Sequence, residues 1–331
     1  MATGLLTSED LKFSISITQV FMYIFLSLSS VFNTFNLIVL AKLGFKDPVN
    51  ICFFSLAVSD YLLVIGASSG ASIVYIFSSL LQSWSVNSFD LSILFVYYGQ
   101  MFLDISILIT TFISVQRCCC VALPLRFKTV FTTKRSVFVL LGIWGYGISS
   151  YLPVLVKQGM HWSVDPQTNS STLVIWRAPG TASALSFMDV VNQTFLGIAS
   201  EVVVILCLVV LTLALRSTSQ FRRSMMSAAT VPGTAKTGSK LSSKEEQVVK
   251  TVTVISVVFV CTNSAAVFLA VARLCVPDFD LYRRFHNIFL VSHNSRAALE
   301  YSGPFLNFLS YCISNRKFRA LFFQLFHRHE V

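Results

Sequence analysis

No charged residue falls between Lys12 and Lys42, between Arg135 and Lys157, or between Lys250 and Arg273. Each gap is longer than the ~20 residues a helix needs to cross the ~30 Å hydrocarbon core of a bilayer. In that medium every backbone polar group must be satisfied internally, which leaves only helices and closed barrels. Further apolar stretches interrupted by isolated charges bring the reading to seven spans, over residues 15–41, 49–79, 92–121, 136–157, 187–215, 250–273 and 286–312. The expected fold is an all-α membrane protein, a seven-transmembrane helix bundle with a short amphipathic C-terminal helix. Residues 1–14 then form a short extracellular N-terminus, 15–312 the seven-helix domain, and 313–331 the amphipathic helix and cytoplasmic tail. Composition agrees, with 54% hydrophobic and 12% charged residues against about 25% charged in soluble domains.

Lysine and arginine set the orientation. Of the 25 basic residues, eighteen fall in one set of loops and ends, among them Arg117, Lys134, Arg135, Arg216, Lys250, Lys317 and Arg319, and seven in the other. The positive-inside rule puts the larger set in the cytosol, the N-terminus outside and the C-terminus inside, as in the plasma membrane. The net charge of +10 is thereby a topology signal, and no nucleic-acid partner is expected. The first eleven residues lack a basic n-region, so the first span reads as an uncleaved signal-anchor. The loop after the fourth span, roughly 158–186, reads as long and polar, and its sequon Asn169-Ser170-Ser171 lies on the outer side as a glycosylation site. A second sequon at Asn192 falls against or inside span five and is expected to stay unmodified. Cys118, Cys119 and Cys120 close the third span and read first as a small-residue packing surface, with palmitoylation as the alternative.

Charges inside spans are expensive and mark functional positions. Asp60 is the only charge between Asp47 and Asp90. Asn307 and Tyr311 are four apart on one helix face. If span seven packs near span two, Asn307 satisfies Asp60, with Asn36 and Ser106 completing a polar cluster able to hold water or a sodium ion. Arg117, at the cytosolic boundary, suits a two-state latch that pairs with Glu245 or Glu246 in one state and a partner in the other. Towards the outer side, Tyr97, Gln100, Met101, Asp104, Phe268, His293, Arg296, Glu300 and Tyr301 form the candidate ligand pocket. Arg296 and Glu300 either neutralise each other at i,i+4 spacing or leave Arg296, with Arg273, Arg283 and Arg284, to attract an anionic group. Beyond Tyr311, Phe318, Leu321, Phe322, Leu325 and Phe326 recur at three- and four-residue steps among basic residues, which predicts a helix lying on the inner leaflet.

The order Asn36, Leu56-Ala57-Val58-Ser59-Asp60, Arg117, Trp144, and Asn307-Phe308-Leu309-Ser310-Tyr311 followed by Lys317-Phe318-Arg319 resembles a rhodopsin-like, class A G-protein-coupled receptor over nearly the whole chain. In its Phe-rich style it is similar to gastropod chemosensory receptors or to peptide receptors. The resemblance implies an extracellular small-molecule or peptide ligand, a heterotrimeric G-protein partner, a switch built on Arg117, Gln116, Asn307 and Tyr311, a sodium ion at Asp60 as the only cofactor, and no enzymatic activity. Several positions depart from the pattern. Gln116 stands where an acid precedes the arginine, leaving Arg117 without its local partner. Phe308 replaces a proline, Cys261-Thr262-Asn263-Ser264 replaces Cys-Trp-x-Pro, and span five lacks its usual proline. Ser92 occupies the place of the disulfide cysteine, which predicts a less constrained outer loop. Gly99 stands where amine receptors hold an acid, which disfavours a biogenic amine. The competing class, a transporter or ligand-gated channel subunit, would show paired repeats or the opposite charge asymmetry.

Overall fold

The computed structural model describes residues 7–79, 86–122, 130–164, 169–228 and 243–326, with the backbone alone at 8, 71–79, 88–89, 218–228 and 243–246. The helices are α1 (Ser8–Leu43), α2 (Pro48–Ser79), α3 (Ser88–Ala122) and α4 (Thr133–Val156). The fifth crossing runs end to end through α5 (Thr181–Met188), a π-helical stretch (Asp189–Leu196) and α6 (Gly197–Ala228). Then follow α7 (Ser243–Cys275), α8 (His286–Ser314) and α9 (Arg316–Phe326). Six of the crossings are long and apolar enough to span a membrane by length and composition alone. The seventh, α8, has the length but carries Arg296 and Glu300, both turned inward.

Helix α1 starts well before the predicted boundary, because Thr7 and Asp10 form a reciprocal capping box that satisfies the first amides. The segment expected to be a short N-terminus is thus helical from Ser8. The loop after α4 is also more ordered than its polarity suggested. It folds into an antiparallel hairpin of β1 (Gln158–Val164) and β2 (Ser171–Arg177), the one departure from an all-helical chain among the described residues. Ser92 cannot form a disulfide, yet the hairpin is held to the start of α3 by other means. Asn87 N donates to Leu173 O at 2.9 Å, and Asp90 Oδ2 accepts from Ile175 N at 3.1 Å.

Helix α3 is the centre of the bundle and touches α2, α4, α6 and α7, while α1 and α8 close the ring. Its approach to α2 is set by glycine. A Cβ on Gly66 would lie 3.0 Å from the amide nitrogen of Gly99, the small-residue contact that lets membrane helices meet backbone to backbone. Gly99 therefore serves packing. Much of the phenylalanine enrichment goes into a second seam, where Phe308 packs its ring against Phe32 at 4.9 Å and Phe322 at 5.2 Å, joining α1, α8 and α9. The residue that replaces a proline is thus a core anchor, 3% exposed. A proline does occur four residues earlier: Pro304 sits inside α8 and removes the amide that would have bonded the Glu300 carbonyl.

Candidate functional site

Asp60 is 2% exposed and accepts two hydrogen bonds, from Ser106 Oγ at 2.6 Å and from Asn307 Nδ2 at 2.9 Å. One carboxylate thereby ties α2 to both α3 and α8. An internal cavity of about 40 Å³ adjoins it, lined on its polar side by Asp60, Ser106, Thr110, Asn263, Glu300 and Asn307. That is room for one or two water molecules. Asn36 does not reach Asp60. Its Nδ2 donates instead to Asn33 Oδ1 at 3.1 Å, and Asn33 Nδ2 donates to the Ala57 carbonyl at 2.8 Å, so these two asparagines pin α1 to α2 one layer away. Asn33 has the same residue type and lies one turn from Asn36, a spacing signal that sequence reasoning passed over.

Towards the hairpin end lies a longer polar chain. Tyr151 on α4 donates to Asp104 Oδ2 at 2.6 Å, and Gln193 in the π-helical stretch donates to the Tyr151 hydroxyl at 3.2 Å. The Gln193 carbonyl accepts from Gln100 Nε2 at 3.1 Å and from Arg296 Nη1 at 3.2 Å, and Arg296 pairs with Glu300 at 3.4 Å. Four crossings are thus joined by side chains in a medium that penalises unpaired polar groups. Gln100, Asp104, Arg296 and Glu300 come together as expected from their spans, whereas Gln193 and Tyr151 were missed. Tyr151 reads as an ordinary core aromatic, and the extra residue per turn of the π stretch, which turns Gln193 inward, has no proline or glycine to announce it.

Other pocket candidates are placed elsewhere. Phe268 is 74% exposed, on the outer face of α7. It lies on the side of a helix whose inward face is taken by Ser256, Asn263 and Thr262. Tyr301 packs towards Leu26, Val64 and Ala67, and its carbonyl accepts from Ser29 at 2.8 Å. Met101 is buried, Tyr97 half-buried against the same core, and His293 exposed with its ring stacked on Phe289 at 5.9 Å. Of the four arginines proposed to attract an anion, three are paired with carboxylates, while Arg284 is exposed and lies over the Phe285 ring at 5.4 Å. Arg273 holds Asp189 at 2.7 Å and Asp280 at 3.1 Å, Arg283 holds Asp278 at 3.3 Å, and Arg296 holds Glu300. Mutual neutralisation is the arrangement found.

In the sixth crossing, the substituted Thr262-Asn263-Ser264 makes a bond of its own. Asn263 Nδ2 donates to Glu201 Oε2 and Ser264 Oγ to Glu201 Oε1, both at 3.0 Å, so α6 and α7 share one buried carboxylate. Ser264 Oγ also contacts the Val260 carbonyl.

At the α9 end, Arg117 is 3% exposed. The expectation that it lacks a local partner is corrected: Gln116 Oε1 accepts from Arg117 Nη2 at 3.3 Å, while Gln116 Nε2 donates to Ser136 Oγ on α4 at 3.2 Å. A neutral amide replaces the acid and splits its two functions between the arginine and α4. Glu245 and Glu246 lie outside the described side chains. Tyr311 is 1% exposed, and its ring packs on Phe53 at 5.1 Å and Phe318 at 5.3 Å. Its hydroxyl has no hydrogen-bond partner among the described residues. Ser114 and Ser256 bridge α3 to α7 at 2.9 Å one layer deeper.

Of the sequons, Asn169 is exposed with φ +52° beside the hairpin, a backbone that asparagine tolerates. Asn192 is 2% exposed and bonded to Tyr146 and Ser150, leaving no room for a glycan. Cys120 is buried, and Cys118 and Cys119 half-buried.

Known proteins resemble this chain in sequence. The chain is 25% identical to human melanopsin over 175 residues, which covers 53% of this chain and 35% of melanopsin. It is 29% identical to rat melanopsin over 110 residues, 33% of this chain and 22% of that protein. The chain therefore matches about a third or less of the length of these relatives. The family described as the 7 transmembrane receptor (rhodopsin family) matches residues 33–299, from Asn33 at the α1–α2 contact to the turn of α8 that carries Arg296. With four-fifths of its length under that match and the Asp60, Arg117 and Asn307 positions built as described, this chain belongs to the rhodopsin family of seven-transmembrane receptors.

Proposed function

We propose that the chain is a G-protein-coupled receptor of the plasma membrane, with its N-terminus outside and its C-terminus in the cytosol. An extracellular small molecule or peptide binds at the hairpin end and rearranges the cytoplasmic helix ends to activate a heterotrimeric G protein. The observation that carries the reading is the pair of polar layers: the Gln100–Gln193–Arg296 chain near the hairpin, and the Arg117–Gln116–Ser136 set at the other end. A ligand that takes the Gln193 carbonyl away from Arg296 changes how the fifth and seventh crossings meet. Differential binding to two packings of the bundle is all that a receptor switch requires. Arg273, Arg283 and Arg296 are each paired with a carboxylate, so ligand polarity is matched by amides and hydroxyls as much as by charge. Asn169 is the glycosylation site in this orientation, and the kinship with melanopsins supports the receptor class without fixing the ligand. A chemosensory role fits a waterborne small molecule.

The oxygens around the 40 Å³ cavity, from Asp60, Ser106, Thr110 and Asn307, are the hard donors that a sodium ion takes. Asp60 would hold it, and the ion would supply charge neutralisation. Sodium-dependent agonist affinity that disappears in Asp60→Asn supports this; a sodium-insensitive wild type removes it.

Arg117→Ala tests the coupling. At matched surface expression, ligand-stimulated nucleotide exchange on a panel of G proteins should drop at least about tenfold, the loss expected from one buried charge-assisted contact, with ligand binding retained. Undiminished exchange would reduce Arg117 to a topology charge.

A further inference from the structure

The start of α4 carries a feature that neither polar layer uses. A groove of about 540 Å³ opens where the turn before α4 meets α3, walled by Phe112, Val130, Phe131, Phe138 and Val139, with Lys134 and Arg135 at its rim. Phe112 and Phe131 pack ring to ring at 6.3 Å to make its back. Phe138 is 79% exposed and Val139 38%, and Leu141 continues the apolar face at 65%. On α4 only Ser136, Leu140, Gly147, Tyr151 and Val154 are fully buried, and Phe138, Val139 and Leu141 lie on its exposed side.

The charges at the rim sit in an unfavourable place for the helix alone. Lys134 and Arg135 occupy the first turn of α4, which has no acidic residue, where the helix macrodipole already presents positive charge. Both are exposed. Arg135 Nη1 reaches back to the Val130 carbonyl at 3.3 Å, which brings its guanidinium over the mouth of the groove. An apolar slot thus lies directly beside two cations.

We propose that this groove binds one anionic glycerophospholipid of the leaflet on which α9 lies, its phosphate between Lys134 and Arg135 and one acyl chain along Phe112, Phe131 and Phe138. Charge complementarity selects this occupant. A zwitterionic lipid fits the slot equally well but gains little from the rim, while each basic residue near the membrane surface favours an anionic one. The position has a consequence for the latch, because Ser136 on the groove wall is the residue that accepts from Gln116. A seated lipid therefore abuts the pair that holds Arg117.

The test uses the purified full chain in mixed micelles containing equal amounts of dioleoyl phosphatidylserine and dioleoyl phosphatidylcholine, with retained lipid identified by native mass spectrometry. The wild type should keep phosphatidylserine over phosphatidylcholine by on the order of tenfold. In Lys134→Gln/Arg135→Gln that preference should fall close to parity with lipid still bound. In Val139→Trp, which fills the slot, retention of either lipid should fall. All three positions are exposed, so the variants should remain monodisperse and folded. Parity in the wild type overturns the proposal without any variant. It is equally overturned if Val139→Trp retains phosphatidylserine normally, which would mean surface attraction with no groove, or if the wild type runs as a dimer that Val139→Trp dissociates, which would give the face to a second copy of the chain.

Discussion

Asp60 and Glu201 are both carboxylates buried in the middle of the bundle, and each accepts two side-chain hydrogen bonds. They differ in what surrounds them. Asp60 joins three helices, and its donors come from positions 46 and 247 residues away. Glu201 joins two, and both of its donors are adjacent residues on α7. The first is a node whose removal strands several elements at once. The second is a clamp between one pair of helices, and Ser264 keeps a second acceptor in the Val260 carbonyl when the clamp opens. A node specifies the fold, whereas a clamp specifies how far two helices separate.

Substitution at the node should have the largest effect. Asp60→Leu leaves the Asn307 amide without an acceptor beside a cavity lined by Glu300 and Asn263, and the Ser106 hydroxyl must turn elsewhere. An orphaned buried donor costs about 1–3 kcal/mol, so the variant should lose about 3 kcal/mol, enough to lower the yield of monodisperse receptor in detergent and its delivery to the cell surface. Asp60→Asn, which keeps an acceptor, should recover most of that yield. Equal yields for Asp60→Leu and wild type would show that Asp60 is no node.

The clamp should respond less in stability and more in activity. Glu201→Leu orphans only Asn263, and polar contacts between membrane helices average about 0.6 kcal/mol because the separated helices also find partners. A loss of about 1 kcal/mol is expected, with surface delivery retained. Freed from α6, α7 should move outward more readily, so ligand-independent nucleotide exchange should rise by about fivefold, the factor that 1 kcal/mol gives. Exchange at the wild-type basal level would mean that the clamp does not hold the resting packing.

These two sites also show how far the sequence alone could be read. Asp60 stood out because a lone acid among apolar residues has few explanations, and its partners Ser106 and Asn307 followed from the order of the helices. Glu201 is legible as an isolated charge in span five, but its partners depend on the rotation of α6 about its axis, downstream of the π-helical stretch. No residue pattern marks that stretch. The same holds for Gln193. The hairpin was missed for a different reason: its residues are half-exposed, so alternation of apolar and polar positions is weak, and it is docked by Asn87 and Asp90 at the distant start of α3. The C-terminal ends of the charge-free spans were legible within about two residues, whereas α1 and α7 both start seven residues earlier than read, α1 because the Thr7 cap extends it into polar sequence. Gln116 was misread because the absence of a carboxylate was equated with the absence of a partner, although an amide offers an acceptor as well as a donor.

The smallest effect separates facing the bundle from facing the bilayer. Phe268 belongs to the same helix as Asn263 and was grouped with the ligand pocket because it lies towards the same end. Five residues advance a helix by well over one turn, and on α7 this rotation carries Phe268 outward, to 74% exposure. Its ring there contacts acyl chains in the separated and packed states alike, so truncation removes little that the fold depends on. Phe268→Ala should change stability by no more than about 0.5 kcal/mol and leave ligand affinity unchanged, in contrast to Asp60→Leu and Glu201→Leu. Saturation binding and thermal inactivation of the solubilised receptor measure both. A clear loss of affinity in Phe268→Ala would place the ligand against the lipid-facing side of α7 and move the site away from the Gln100–Gln193–Arg296 chain.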